Sequence, residues 1–440
     1  MSSLHDRLAD LAEDGPDRPQ PRDAWERGRR YGRRRRLQAA ALSLVLLTAV
    51  GSLLGALLPA LSYDVGPADA EAALRLPDRL YTPSPWLPGT DDVGEIGPLV
   101  ALVGAERKTW SGSGAGVAGV SAEGDYAFLD LPGLGGALGR DQGASIALSD
   151  DGRLVAYPLT GRPEGEPTFV GVAVYDTVTG EVTSQRIPTE HGISFGGFAW
   201  AGARLWMQYG QLEQAADEEP SSSWGSEYHV YSWDLDDGIR RASGRLANRM
   251  PDVSASSGLV TWQGRRLWVF DREGASVLRD LRLDLASDAP PALNPSGTRV
   301  AVLEDPDGDP TLSDGRPYLL RAGVVPEGEN VRVATARVGD RTADELWGWR
   351  DDWHVLVRDL GAHALFSVDV NTGAREPMLT LPDATESPGT VLAEDALAAP
   401  RFDAPEPPHP MDPRLRLGLI VLVVLLGGGR LVIWWRRERV

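Results

Sequence analysis

The residue types that most often carry out chemistry are few in this sequence and are poorly spaced for it. The chain has no cysteine, which excludes thiol nucleophiles, disulfides and thiolate metal sites. No two of the histidines have the H-x-x-x-H spacing that brings two imidazoles onto one metal ion. The histidines are His5, His191, His229, His354, His363 and His409. We therefore predict no catalytic, metal-binding or cofactor-binding residues.

Two further segments match functional motifs only in part. The acidic segment 305–314 resembles a calcium loop, but such a loop needs Gly at its sixth position and Glu at its twelfth. Pro310 and Arg316 occupy these positions. The glycine-rich segment 111–119 lacks the Gly-Lys-Ser/Thr sequence that completes a phosphate-binding loop. Neither a calcium site nor a nucleotide site is expected.

The secondary-structure elements that would position a functional site are predicted to be short strands, and they form a repeat. Between about 91 and 397, runs of β-branched and aromatic residues alternate with turns rich in Gly, Asp, Asn and Ser, which is typical of strands. An apolar strand, a tight turn and a second apolar strand recur as a unit. Copies of this unit occupy 119–129, 147–157, 198–207, 253–269, 292–303 and 346–357.

A second repeated element consists of a strand that ends in Asp, a Gly turn and the start of another strand. It occurs at 172–188, 228–243 and 365–382. The turns of the first element contain Gly152, Gly202, Gly258, Gly297 and Asp352, which are spaced by 50, 56, 39 and 55 residues. A four-stranded propeller blade needs about 40–45 residues, and loops account for the excess.

These repeats resemble the WD40-like or TolB-type β-propeller repeat. That repeat has a strand, an S-P-D-G turn, a strand ending in V-A-Y and a later D-x-x-T-G turn. The best matches are 150–157, 174–180, 294–303 and 368–373. The resemblance implies an all-β fold, a single six- or seven-bladed β-propeller. It implies no particular activity, because propellers support many.

Two apolar segments flank the repeats and predict two transmembrane helices. Residues 37–58 carry no charge and would rise about 33 Å as a helix, enough to cross a hydrocarbon core of about 30 Å. Residues 415–435 form the second segment. A cleaved signal peptide is the alternative for the first, although its apolar run exceeds the usual length of about 7–15 residues.

Basic residues at the outer ends of these segments predict their orientation. Positive residues stay on the cytoplasmic side, so both termini are expected in the cytoplasm and the repeats outside the cell membrane. The topology signals are Arg33, Arg34, Arg35 and Arg36 before the first span and Arg436 and Arg437 after the second. Gly51 and Gly55 have a G-x-x-x-G spacing that suits contact between the two spans, or they simply face lipid.

The predicted organisation is a two-pass membrane protein. Its parts are a cytoplasmic basic tail (1–36), a first span (37–58), a Pro-rich stalk (59–90), a propeller (91–397), a second Pro-rich stalk (398–414), a second span (415–435) and a basic end (436–440). Because propellers close when both chain ends share one blade, we expect the two stalks to lie side by side.

The expected partners follow from charge and from the tail. Residues 37–413 carry a net charge of −27, which disfavours nucleic acid. Leu4, Leu8 and Leu11 fall on one helical face, so the tail is either a docking helix for a cytoplasmic regulatory protein or a frayed end. The layout resembles that of actinobacterial membrane proteins often paired with extracytoplasmic-function sigma factors, which implies a sensor or regulator.

Two functions stay open at this point. The first is a membrane-anchored module that binds an extracytoplasmic protein or glycan and acts as a scaffold or sensor. The second is an extracytoplasmic hydrolase or lyase that acts on envelope polymer. A bound metal or a pair of carboxylates in a funnel would favour the second.

Overall fold

The computed structural model describes residues 72–110, 112–134, 146–162, 168–212, 227–254, 258–271, 273–287, 289–305, 317–382, 389–410, 412–415 and 418. Apart from Leu415 and Gly418, both predicted spans lie outside these residues. Within the described part of the chain, no helix is long and apolar enough to cross a membrane. A compact unit runs from Asp64 to Pro413.

Strands make up most of this unit, and we number them along the chain. The first strands are β1 (Leu76–Pro77), β2 (Leu99–Thr109), β3 (Gly112–Ser121), β4 (Tyr126–Phe128), β5 (Ala147–Leu148), β6 (Leu154–Gly161), β7 (Thr168–Asp176) and β8 (Val182–Arg186). The next are β9 (Ile193–Ala201), β10 (Arg204–Gln211), β11 (His229–Asp234), β12 (Gly238–Arg241), β13 (Asp252–Ser254), β14 (Gly258–Gln263), β15 (Arg266–Phe270) and β16 (Val277–Leu283).

The remaining strands are β17 (Ala292–Leu293), β18 (Arg299–Glu304), β19 (Tyr318–Val324), β20 (Asn330–Val333), β21 (Ala336–Ala343), β22 (Glu345–Trp349), β23 (His354–Asp359), β24 (Ala364–Asp369), β25 (Arg375–Thr380), β26 (Thr390–Leu392) and β27 (Arg401–Phe402). Helical segments are short: α1 (Thr90–Val93), α2 (Glu394–Ala398) and a 3-10 turn at Gly244–Leu246.

Within the described residues, the strands form six antiparallel units of four. Their strand orders are β26-β2-β3-β4, β5-β6-β7-β8, β9-β10-β11-β12, β13-β14-β15-β16, β17-β18-β19-β21 and β22-β23-β24-β25. One residue pair, Phe169 with Ile193, joins the second and third units into a single sheet. Strand β20 adds to the outer edge of the fourth unit in parallel with β16.

The first strands of these units lie next to one another. Strand β26 lies beside β5, β5 beside β9, β9 beside β13, and β17 beside β22. Four-stranded sheets arranged radially in this way form a β-propeller, and we refer to the units as blades 1 to 6 in the order given above. The all-β, propeller-type fold expected from the repeats is therefore confirmed.

The repeat turns fall where the propeller pattern places them. Gly152, Gly202, Gly297 and Asp352 lie between the first and second strands of blades 2, 3, 5 and 6, and Gly258 begins the second strand of blade 4. The copy assigned to 119–129 was out of phase, because it covers β3 and β4. Blade 1 has no contiguous first pair of strands, since its innermost strand comes from the other end of the chain.

The two ends of the propeller are joined twice. Strand β26 pairs with β2 in blade 1, and Leu392 lies opposite Ala101. Outside the blade, β1 pairs in parallel with β27, which places Leu76 opposite Arg401. The entry and exit of the propeller are therefore neighbours, as expected from closure.

The compact unit is wider than the predicted propeller bounds of 91–397. Leu76, Leu80 and Leu87, which belong to the segment expected as the first stalk, are no more than 3% exposed. Their burial explains why residues 72–90 lie against the blades, since each leucine removes an apolar side chain from water.

The cores lie between neighbouring blades. Separate buried clusters fill the space between blades 2 and 3, 3 and 4, 4 and 5, and 5 and 6. Two tryptophans also connect adjacent first strands: the Trp200 indole N–H donates to the Ala147 carbonyl (3.3 Å), and the Trp349 indole N–H donates to the Ala292 carbonyl (3.0 Å). Each bond holds one blade against the previous one.

Replacing Trp349 by Phe should lower the free energy of unfolding by about 1–3 kcal/mol, because it removes this hydrogen bond and leaves a space between blades 5 and 6. Chemical denaturation followed by fluorescence measures the loss. The matched control is Trp110→Phe, since Trp110 is 60% exposed and its change should stay within about 0.5 kcal/mol. Equal losses in the two variants would contradict this role for Trp349.

Candidate functional site

Carboxylates at the ends of the third strands have a structural role. In blade 2, Asp176 accepts hydrogen bonds from the N–H groups two and three residues further on (2.9 and 3.0 Å). Asp369 does the same in blade 6 (2.8 and 3.0 Å), and these backbone hydrogen bonds lower the pKa of Asp369. Burial raises the pKa of Asp176, but hydrogen bonds from Arg153 and the backbone outweigh it, so the pKa is lowered. These groups stay ionised and hold the turns that the D-x-x-T-G pattern predicted.

A groove lies beside blade 1, and we call it the closure groove. Its volume is about 380 Å³, within the range of about 300–1,000 Å³ for small-molecule sites. Both ends of the propeller and the first turn of blade 2 form its walls. The lining residues are Ala72, Leu74, Pro98, Asp151, Arg153, Asp395 and Ala399.

The blade 2 wall is a tight turn at residues 149–153. The Asp151 carboxylate accepts hydrogen bonds from the Ser149 hydroxyl (2.6 Å) and the Arg153 N–H (3.1 Å). Gly152 has φ +74°, and a Cβ there would lie 2.0 Å from the Leu99 carbonyl oxygen. Because the Leu99 N–H also donates to the Gly152 carbonyl (2.8 Å), this turn rests directly on the first residue of β2.

The opposite wall is the first turn of α2. The Asp395 N–H donates to the Asp150 carbonyl (3.0 Å), which ties the C-terminal segment to blade 2. Partial burial, followed by the charge of Asp151, raises the pKa of the Asp395 carboxyl. The Arg153 guanidinium does not offset this repulsion, since it is held by Asp176 at 3.0 Å. The groove thus contains two carboxyl groups, and the pKa of one of them, Asp395, is raised.

A second concavity lies between the first strands of blades 5, 6 and 1. Its volume is about 190 Å³, and its lining includes Leu293, Trp349, Leu392 and Glu394. This volume is below that of ordinary ligand pockets, so the closure groove is the better candidate.

The residues singled out from the sequence lie elsewhere. The docking residues Leu4, Leu8 and Leu11, the topology arginines, and Gly51 and Gly55 all fall outside the described residues. So does most of the acidic segment 305–314. Among the described residues, no group of three or more His, Asp or Glu side chains is arranged to hold a metal ion.

Sequence reasoning passed over two features of interest. The segment Gly192–Gly196 has the G-x-S-x-G spacing of a serine nucleophile elbow. However, Ser194 lies inside β9 rather than at a strand-to-helix turn, and its hydroxyl bonds the Tyr228 hydroxyl at 2.8 Å. The second feature is Asp395, whose proximity to Asp151 has no local sequence signal because 244 positions separate them.

Comparison with known proteins gives similarity at the level of solved structures. No family model and no curated protein matches the sequence. TolB from Acinetobacter baumannii is 13% identical, with a TM-score of 0.37, covering 69% of this chain and 68% of that one. A putative 6-phosphogluconolactonase from Bacteroides uniformis is also 13% identical, with a TM-score of 0.33 and coverage of 67% and 99%. The β-propeller domain of Cps50 (Swd1) from Myceliophteria thermophila is 15% identical, with a TM-score of 0.32 and coverage of 63% and 85%. At these scores, the fold assignment depends on the strand pairing of the chain itself.

Replacing Asp395 by Asn should raise the thermal midpoint at pH 7 and leave it unchanged at pH 3. Since the pKa of Asp395 is raised by folding, the folded state binds this proton more tightly, and the associated stability is lost as the pH rises above about 4. Because Asn carries no charge, the variant does not lose this stability as the pH rises. Thermal unfolding followed by circular dichroism measures the midpoints.

The control for this measurement is Asp403→Asn, which changes an exposed carboxylate on the same C-terminal segment. Its midpoint should show no pH-dependent difference from that of the unmodified chain. A midpoint for Asp395→Asn that falls at pH 7 would contradict the proposed repulsion in the closure groove.

Proposed function

We propose that this chain is a membrane-anchored extracytoplasmic β-propeller that binds a ligand outside the membrane and acts as a sensor or scaffold. Propeller-type folds commonly serve as binding modules, and this coarse assignment fits the structure of the compact unit. Anchoring by residues 37–58 and 415–435 and the extracytoplasmic location are proposals that rest on the hydropathy and the arginine distribution.

The observation that carries the proposal is the parallel pairing of β1 with β27. This pair holds the segment that follows the first apolar stretch against the segment that precedes the second. Further bonds continue it, since the Ala404 N–H donates to the Asp78 carboxylate (2.9 Å) and the Tyr81 hydroxyl donates to the Ala404 carbonyl (3.4 Å). A displacement of either segment would therefore act on the other segment and on blade 1, where the two ends of the propeller meet.

The closure groove lies at the same place. Residues from the N-terminal segment, the C-terminal segment and blade 2 all line it. A molecule bound there would contact both ends of the propeller at once, so occupancy would favour one relative placement of the two ends. This arrangement suits a sensor whose output travels through the flanking segments.

The partners proposed for such a sensor lie on both sides of the membrane. Outside, the binding partner is a protein or glycan. Inside, the helical face of Leu4, Leu8 and Leu11 would dock a cytoplasmic regulatory protein.

The alternative function is an extracytoplasmic hydrolase or lyase acting on envelope polymer. One observation favours it: the carboxyl of Asp395, with its raised pKa, lies in a groove beside Asp151, and such pairs serve as acid and base in enzymes. Release of soluble fragments from envelope polymer by the unmodified chain, and not by Asp395→Asn, would select this alternative.

Fusions to alkaline phosphatase at Val440 and at Gly225 should report opposite sides of the membrane. The enzyme is active only outside the cytoplasm, so we expect activity from the Gly225 fusion and none from the Val440 fusion. A fluorescent protein that folds only in the cytoplasm gives the reciprocal control. The same sidedness at both positions would eliminate the two-span arrangement.

We expect cysteines placed at Ser62 and Met411 to form a crosslink, because in the proposed arrangement both Pro-rich segments run side by side from the β1–β27 pair to the membrane. The natural chain offers no competing thiol. The matched control keeps the cysteine at Ser62 and pairs it with Glu273→Cys, which lies in blade 4 across the propeller from blade 1. Crosslinking is read as a shift on non-reducing gels. Equal yields in both variants, or none at several neighbouring pairs, would argue for separately placed anchors.

A further inference from the structure

Three arginines stand side by side on three neighbouring strands. Arg266 of β15 lies opposite Arg282 of β16, and Arg282 lies opposite Arg332 of β20. Residues paired in this way project from the same face of a sheet, and adjacent strands are about 4.8 Å apart. The three side chains therefore leave the backbone along a row about 10 Å long.

These side chains line an open groove of about 500 Å³, which we call the arginine groove. Arg265 adds a fourth guanidinium, and the buried residues Leu283 and Val333, which are 4% and 1% exposed, are also part of the lining. Strand β20 comes from the segment between the third and fourth strands of blade 5, yet it pairs with the last strand of blade 4. The groove is thus assembled at the junction of the two blades.

The nearby carboxylates neutralise these arginines only in part. Asp284, the acidic residue in the lining, directs its oxygens at the N–H and hydroxyl of Thr335 (3.1 and 2.8 Å). Asp280 lies at the limit of ion pairing, 3.9 Å from Arg245 and 4.0 Å from Arg266.

The other three arginines, Arg265, Arg282 and Arg332, make no ion pair with any carboxylate in the described part of the chain. Like charges directly opposite each other destabilise strand pairing, so this row costs the folded protein stability. The cost is unusual in a chain whose net charge is −19, since acidic side chains are plentiful. An anion bound from outside would remove the repulsion.

We propose that the arginine groove binds a phosphate group with free terminal oxygens. A guanidinium offers a planar fork of N–H donors that matches the oxygens of phosphate or carboxylate. A carboxylate carries one charge and is satisfied by one fork, whereas a phosphate monoester carries about −1.5 to −2 and has three acceptor oxygens. Only the second uses a row of adjacent guanidinium groups.

The groove also has more room than a phosphate needs. The volume of about 500 Å³ therefore accommodates part of the molecule that carries the phosphate. Two sources supply this chemistry: a soluble phosphorylated molecule and the headgroup of a phospholipid with a terminal phosphate. The groove belongs to blades 4 and 5, so its occupancy can be measured independently of the closure groove.

The test is calorimetric titration of the full chain with tripolyphosphate and with citrate at matched ionic strength. We expect tripolyphosphate to bind and citrate to bind at least about tenfold more weakly. Arg282→Gln should weaken tripolyphosphate binding about tenfold or more, because it removes the central fork. The matched control is Arg240→Gln, which changes an exposed arginine of blade 3 that pairs with Asp237 and should leave binding unchanged.

Folding of the variant is checked by thermal unfolding without phosphate, where Arg282→Gln should unfold at the same or a higher temperature because repulsion is reduced. The source is read by competition with water-soluble short-chain lipids: displacement of tripolyphosphate by short-chain phosphatidic acid and not by short-chain phosphatidylcholine assigns the lipid headgroup, and displacement by neither assigns a soluble ligand. Equal affinity for citrate overturns the phosphate assignment. Unchanged binding in a folded Arg282→Gln variant, or no binding to any phosphate probe, overturns the site.

Discussion

Closure of the ring is the constraint on which the rest of this structure depends. Blade 1 takes its innermost strand, β26, from the C-terminal end of the unit and its other three from the N-terminal end. Without that pairing, β2 would present an unpaired edge, and exposed edges invite pairing with other chains. The parallel β1–β27 pair reinforces the same junction from outside the blade. Every blade-to-blade contact is then held in place by its neighbours on both sides.

Inside this closed ring, the blades meet through apolar clusters and a few directed bonds. Trp200 of blade 3 donates to a carbonyl in the first strand of blade 2, and Trp349 of blade 6 donates to a carbonyl in the first strand of blade 5. Turns at the outer side depend on carboxylates such as Asp176 and Asp369, whose lowered pKa values reflect the hydrogen bonds they accept. The strong acidity of the chain is thus partly a consequence of building many tight turns with Asp.

The sequence predicts the repeated parts of this fold well, because strand alternation and turn residues are local signals. Gly152 and Gly297, for example, mark the same turn in blades 2 and 5. Blade 1 was misplaced since its first strand is distant in the chain, and pairing across such distances has no local pattern. For the same reason, neither the approach of Asp395 to Asp151 nor the row formed by Arg332 could be foreseen. Both depend on a register that only the closed fold determines.

The two grooves share one structural property that bears on how a propeller could respond to a ligand. Each is built at a junction between blades, and each receives a segment that crosses from elsewhere: α2 onto blade 2 in one case, and β20 onto blade 4 in the other. At such junctions, separate buried clusters pack between neighbouring sheets. Their net charges are opposite in sign, because two carboxylates and one arginine line the closure groove, whereas four arginines and one carboxylate line the arginine groove. In each groove, repulsion between like charges opposes the packing of the two blades, and a ligand of the opposite charge would tighten that junction. For the sensor that we propose, tightening of one junction in the ring is the route by which a ligand in either groove would act on the paired chain ends at blade 1.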